Sequence, residues 1–461
     1  MRRTDSYIDR KYEQGTALVV TLLFLMALGV LSTALVFSVH NEMKSSTAYK
    51  YTQQAFYVSN GAVQKAVQWF ANSYNPHLPA SDYDATYCPV RYTGSNVMMA
   101  GQTGSSSHYP ESAVTTAFTG QFNNQSLQAD ANNSGVYALN ATLQRYIPVT
   151  FINPATFIPY PSAIERWKLE SMGYWGTVAR PLGTAQITAT IENSGNALFD
   201  RALWGIDSVG LGGTVVIDSY DPNLGPYGGT NVGDLGAIGS NGTVSLNGNV
   251  TVNGDAAYGP SGSFSHIGGA TVTGDVIHLS APHYFPPIPA FTVGIQNVTL
   301  GGHSVQTIGP NTYGTNGKYG TISVDSHAVL TMNPGTYYID QLTLGSQSQL
   351  IITGTTTLFV KTTLTLGGQG VANSTGDPTK LTVFFSGTNA VSMTGGTGFY
   401  GDVYAPNATV TLVGNSNFYG SFIGKVVNDN GTPDIHFDEG NLRQNLIQRP
   451  FRLITWAQNT Y

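Results

Sequence analysis

The sequence predicts a long N-terminal helix, a middle region with an antiparallel strand pair, and a C-terminal all-β domain, a right-handed parallel β-helix. Three observations carry this. An uncharged apolar run from Thr16 to Val39 passes into an amphipathic stretch with no proline before Pro76. Glycine gathers late in the chain, 40 of 54 falling between Leu211 and Gly440. In that half, short strands with period-two alternation return at about 20-residue spacing, the signature of a solenoid.

The composition narrows the function classes. A chain of 461 residues holds roughly two to four domains. Only 10% of it is charged, while 41% is hydrophobic and 11% aromatic, which excludes a disordered or collagen-like chain. With 20 basic against 26 acidic residues the net charge is −6, and duplex nucleic acid is excluded as a partner of any basic face. Cys88 is the sole cysteine, so no internal disulfide and no cysteine-based zinc site exists. Its setting, ATYCPVRY, reads as a loop with an inert, half-buried thiol.

The first segment is read as a membrane helix. Residues 1–15 carry Arg2, Arg3, Arg10 and Lys11, and the next 24 residues have no charge. A bilayer core needs about 20 apolar residues, and a basic flank keeps the N-terminal end in the cytoplasm. A secretory signal has an apolar core of only about 7–15 residues and then a small-residue cleavage site. Here His40, Asn41, Glu42 and Lys44 follow instead. Beyond Val39, Met43, Ala48, Tyr51, Ala55, Val58, Ala62, Val63, Ala66 and Phe70 keep a helical stripe. One helix over residues 16–74 would run roughly 87 Å at about 1.5 Å per residue. A plain anchor does not need the second half.

These residues resemble type IV prepilins, and among them the PilX-type minor pilins. The likeness covers about residues 10–73: a basic leader ending in Gly15, then TALVV and a Leu-rich run, then QQAFYVSNGAVQKAVQWF. The resemblance implies that prepilin peptidase cuts after Gly15 and methylates the new N-terminus, here Thr16 where the family has Phe or Met. It also implies an α+β module, with a small antiparallel sheet packed on the amphipathic half of the helix. Other pilin subunits would be the partners, with membrane lipid around the helix before assembly. The location implied is the bacterial inner membrane as a single-pass prepilin, then the pilus or cell surface. Val20 stands at the fifth mature position, where major pilins carry a glutamate. A subunit without that carboxylate suits the filament tip.

In residues 75–205, turn-rich stretches separate two alternating runs. Trp167, Leu169 and Ser171 alternate in ERWKLESMGYW, and Ala185, Ile187, Ala189 and Ile191 in TAQITATIEN. The pair reads as a hairpin.

The solenoid is expected over residues 206–440, with 441–461 as a tail. Two repeats set its period. Phe399-Tyr400-Gly401 returns as Phe418-Tyr419-Gly420 after 19 residues, and Leu342-Thr343-Leu344 as Leu364-Thr365-Leu366 after 22. Inward candidates are Val244, Leu246, Val250, Val252, Leu342, Leu344, Leu350, Ile352, Leu364, Leu366, Val410 and Leu412. An antiparallel sandwich or jelly roll fits the strand spacing second best. The stretches ALWGIDSVGLGGTVVIDSYD, GAIGSNGTVSLNGNVTVNGDA and GFYGDVYAPNATVTLVGN resemble β-helical surface domains of unknown function attached to PilX-type N-termini. PGTYYIDQLTL loosely resembles ice-binding solenoids, but the threonines lack the regular array an ice face requires.

Little in this half reads as catalytic. Gly396, Gly398 and Gly401 match GxGxxG, but a strand follows where a phosphate site needs a helix N-terminus. No arginine lies between Arg201 and Arg443, which disfavours lyases of acidic sugars, and no carboxylate pair stands out for a glycosidase. Carboxylates and a histidine concentrate only in residues 428–439, NDNGTPDIHFDE, read as a solvated edge closing the solenoid. Within it Asp429, Asp434 and Asp438 form the candidate calcium site; no other cofactor is expected. His278 and His283 read as scattered surface residues, and Asn249 and Asn407 as composition rather than glycosylation sites. The function expected is that of a non-enzymatic, pilin-like subunit in pilus assembly and surface contact, its uncharged face suited to surface glycans. The alternative is a membrane-anchored, carbohydrate-active or carbohydrate-binding β-helix protein.

Overall fold

Residues Asp9–Asn72 form one α-helix, α1. The computed structural model describes residues 9–76, 83–100, 110–127, 135–325, 327–345, 347–367, 371–373, 375–394 and 398–459. Met1–Ile147, Ile164–Asn193 and Pro450–Tyr461 form one compact unit, and Pro148–Ala163 with Ser194–Arg449 form a second.

In the first unit the two halves of α1 differ. Every residue from Thr16 to Lys50 is exposed, so the expected stripe is not buried at Met43 or Ala48. Burial begins at Ala55 and continues through Val58, Ala62, Val63, Ala66 and Phe70. This half lies on the expected hairpin, whose strands Pro159–Thr177 and Arg180–Ala197 pair antiparallel with Trp167 opposite Ile191 and Leu169 opposite Ala189. Contact is close because two glycines face the helix. A Cβ at Gly173 would meet the backbone of Ala55 and Ser59, and one at Gly183 the backbone of Tyr51. Without those side chains, Ser59 Oγ donates to the Ser171 carbonyl at 3.0 Å and Ser171 Oγ to the Ser59 carbonyl at 3.1 Å. Glu165 is fully buried and its carboxylate accepts from Tyr74 Oη at 2.8 Å and Trp167 Nε1 at 2.7 Å.

Among the elements here that were not expected are a helix and two long strands. Helix α2 covers Ser112–Phe122 and buries Phe118 and Phe122 against Trp69. A third long strand, Gly135–Ile152, extends the sheet. The segment expected as a tail contains the strand Leu446–Asn459 at the far edge of the same five-stranded sheet, beside Arg180–Ala197. Phe451 fixes it, its ring 5.2 Å from that of Phe70.

The second unit is the β-solenoid, whose rungs pair in parallel. The repeats are the rungs: Phe399 pairs with Phe418 and Tyr400 with Tyr419, while Leu342 pairs with Leu364 and Leu344 with Leu366. All twelve inward candidates are buried, at 3% exposure or less. Most stack on an apolar counterpart in a neighbouring rung, as Val250 does on Val215 and Leu342 on Leu364, so apolar columns replace a layered core.

The rungs do not stack in chain order. The strand Leu203–Tyr220 pairs on one side with Thr243–Val252 and on the other with Phe422–Gly431 and Asp434–Asp438. The chain thus enters the solenoid in the middle and builds outward to Val276–His278. Its next strand, Val298–Leu300, pairs in register with Lys318–Val324, at the opposite end. Successive rungs then return, and the last docks on the first.

Residues 279–297 make the crossing without regular structure, as a strap over one column of the solenoid. That column reads Lys318, Tyr338, Phe359, Phe384, Tyr404, Ile423 and Trp204, each in register with the next. Tyr338 and Phe359 stack at 5.1 Å, as do Phe359 and Phe384. The strap follows them in reverse: Phe285 lies against Trp204, Pro286 accepts from Tyr404, Phe291 lies against Phe359, and Thr292 accepts from Lys318 Nζ. The column passes next to Gly239, where a Cβ would fall inside the Trp204 ring.

Candidate functional site

Two regions carry the chemistry: the exposed half of α1 and the acidic corner where the last rung meets the first.

Thr16–Val39 is long and apolar enough to cross a bilayer and none of it is covered. At about 1.5 Å per residue its 24 residues span about 36 Å, against a hydrocarbon core of about 30 Å. Three of its hydroxyls are satisfied within the helix: Thr21 donates to the Ala17 carbonyl at 2.6 Å, Ser32 to Leu28 at 2.8 Å and Thr33 to Gly29 at 3.0 Å. Those three side chains need no water. Gly15 and Thr16, the expected cleavage pair, are consecutive positions of this continuous helix. Residues 1–8 of the expected leader lie outside the described residues.

The structure does not bring Asp429, Asp434 and Asp438 together. Asp429 Oδ1 accepts from Gly212 N and Asp434 Oδ1 from Val216 N, each at 2.9 Å, and these partners lie about 13 Å apart along one strand. Asp438 Oδ1 accepts from Gly440 N at 2.7 Å, and Oδ2 from Tyr220 Oη at 3.2 Å. Among the described residues no three His, Cys, Asp or Glu side chains converge as metal ligands. Nor is the segment a solvated edge. It lies inside the stack, and His436 and Asp438 are buried because the rung Leu203–Tyr220 covers them. Asp429 pairs with Leu412, in the column that other rungs fill with Met393, Leu366 and Leu344. Partial burial raises its pKa, against the bond from Gly212.

Sequence reasoning missed the partners of this segment because they lie some 218 positions away. His436 Nδ1 is 2.6 Å from Asp218 Oδ1, and Tyr227 Oη donates to Asp218 Oδ2 at 2.8 Å. The Tyr227 ring lies 3.7 Å from His436, and Tyr400 stacks on Tyr419 at 4.3 Å with planes 2° apart. The repeated Phe-Tyr-Gly was the available signal for that stack. Gly396 lies outside the described residues; from Gly398 the GxGxxG stretch continues into the strand Phe399–Tyr400, as a turn-and-strand reading requires.

The remaining candidates separate. Cys88 is exposed rather than half-buried, with Sγ 3.4 Å from Gln144 Oε1. His278 stacks on Tyr258 at 4.7 Å. His283 is not a scattered surface residue: it sits on the strap 5.1 Å from the Trp204 ring, and burial holds its pKa below the usual range. It lines a cavity of about 380 Å³ with Leu198, Leu279, Tyr284, Ile447 and Arg449, and no carboxylate is among the described lining residues.

The fold defines a class of chain: one helix with an exposed apolar half, and a β-solenoid whose last rung closes on its first. Residues 340–444, the returning rungs, match a family described as a domain of unknown function (DUF7305), under a quarter of the chain. Among solved structures, the competence-associated pilin ComZ from Thermus thermophilus matches at 12% identity over 88% of this chain and 97% of its own, with a TM-score of 0.23. That score does not define a common fold. No curated protein matches the chain.

Proposed function

We propose that the chain is a pilin-like subunit of a type IV pilus or related filament, acting in assembly and surface contact without a catalytic step. The observation that supports this is the division of α1. One half is docked on a sheet through Gly173 and Gly183, and the other is bare, apolar and internally hydrogen-bonded. Such a helix can lie in lipid as a single-pass prepilin and then exchange lipid for the apolar helices of neighbouring subunits. On this reading prepilin peptidase cuts between Gly15 and Thr16. Val20 brings no carboxylate to the filament core, which favours a place at the tip. The solenoid presents the uncharged face to surfaces or glycans.

Mass spectrometry of the mature N-terminus tests the reading. A chain beginning at Thr16 is expected, and Gly15→Leu should block processing and surface display while leaving membrane insertion intact. A surface chain that retains Met1, or one cut after His40, overturns it.

A further inference from the structure

Three short turns of the solenoid, Pro222–Leu224, Pro378–Lys380 and Glu439–Arg443, are built alike. Each is preceded by an aspartate whose carboxylate accepts from the backbone N–H two residues on: Asp221 from Asn223, Asp377 from Thr379, Asp438 from Gly440. The turns meet, since a Cβ at Gly440 would touch Asp438 Oδ1, Pro222 and Thr379. A fourth carboxylate, Asp402, lies within electrostatic reach of Asp438 and Asp377, and Asp438 within reach of Asp377 and Asp221. The cation paired there is Lys380, 3.7 Å from Asp377 and partly solvated.

Asp402 and Asp438 have no accessible surface at all, and Asn441 is 1% exposed. Asp402 Oδ1 accepts from Asn441 Nδ2 at 2.7 Å and from Ser421 N at 3.0 Å. The other oxygens of this joined pair, Asp402 Oδ2 and Asn441 Oδ1, are buried and have no donor. Two orphaned acceptors beside a group of carboxylates are costly unless a proton on Asp402 joins them or a cation or donor lies against them. A hard cation takes carboxylate, amide and water oxygens together, which this set can offer with only two buried carboxylates.

We propose that this corner binds a divalent cation of the calcium class, with Asp402 Oδ2 and Asn441 Oδ1 as ligands and Asp438 as the second negative charge. The bound ion clamps the closure of the solenoid. Asp402 belongs to the strand Asp402–Gly414, and Ser421 and Asn441 flank the last rung. Asp438 reaches Tyr220 on the first. The proposal does not depend on the pilin reading.

The test uses the full chain in detergent. EDTA should lower the thermal midpoint of the wild type by about 5–10 °C, and calcium should restore it. Terbium in place of calcium should luminesce on tyrosine excitation, because Tyr220 lies beside the site, and calcium should compete it away. Asn441→Ala keeps every carboxylate and should weaken the terbium signal at least tenfold at fixed concentration; Asp402→Asn should abolish it. A wild-type midpoint indifferent to EDTA and calcium overturns the proposal and leaves a proton on Asp402, or a buried water, as the bridge. So does a terbium response unchanged in Asp402→Asn.

Discussion

The hydroxyl of Tyr404 donates to the carbonyl of Pro286 at 2.6 Å, across 118 positions of sequence. It pins the strap to the middle of the aromatic column. The strap must run the length of the solenoid because the rung built before it and the rung built after it occupy opposite ends. Tyr404→Phe keeps the ring and orphans a carbonyl, so a loss of about 1 kcal/mol is expected. Phe359→Ala removes a ring stacked on both neighbours and should cost about 3–5 kcal/mol. Denaturant unfolding measures both. If Tyr404→Phe cost as much as Phe359→Ala, the hydrogen bond rather than the column would be holding the strap.

Leu344 and Leu366 are stacked and almost wholly buried, at 1% and 3% exposure. Aspartate at either position would bury a charge with no partner. Leu344→Asp and Leu366→Asp should each destabilise the chain by more than about 4 kcal/mol, read as loss of soluble protein or of cooperative melting. A stable Leu344→Asp protein would mean that the column can open to solvent there.

Closure makes the last rung a neighbour of the first. A chain ending at Gly414 loses the pairing partner of Asp402–Gly414 and of Leu203–Tyr220 together, exposing two strand edges. It should aggregate or become protease-sensitive in both halves of the solenoid. Limited proteolysis with peptide mapping decides; damage confined to residues near 402–414 would mean that the two halves are held independently.

Legibility followed the range of the interaction. The 19- and 22-residue repeats were readable because consecutive rungs are stacked, so Tyr400 meets Tyr419 and Leu344 meets Leu366. The pairing of Phe422 with Leu203 carries no such signal, because 218 or more positions separate the partners and nothing local distinguishes a last rung from a terminal cap. Sequence alone therefore makes Asp429, Asp434 and Asp438 an edge, although each binds the first rung or the turn beyond it. One signal was present and unused. Tyr338, Phe359, Phe384 and Tyr404 place one ring in each rung at the repeat spacing, which marks a column with something lying over it. Phe451 had no periodic context, so its strand looked like a tail.

The docking of α1 rests on glycine rather than on side-chain interlock. Gly173 lies where its Cβ would meet the Ala55 carbonyl and the Ser59 amide, and both belong to a helix backbone that cannot give way as a flexible side chain can. Gly173→Val should lift the helix from the sheet by the width of a methyl group or more. That would break the paired Ser59–Ser171 bonds and uncover Ala55 and Val58, at a cost of about 2–4 kcal/mol. Hydrogen exchange should then rise across Ala55–Phe70 with no change in the solenoid. Ala17→Val, on the bare half, should leave exchange in both regions as it was. Equal protection of Ala55–Phe70 in Gly173→Val and wild type would show that the aromatic residues Phe70, Trp69 and Phe118 alone fix the helix.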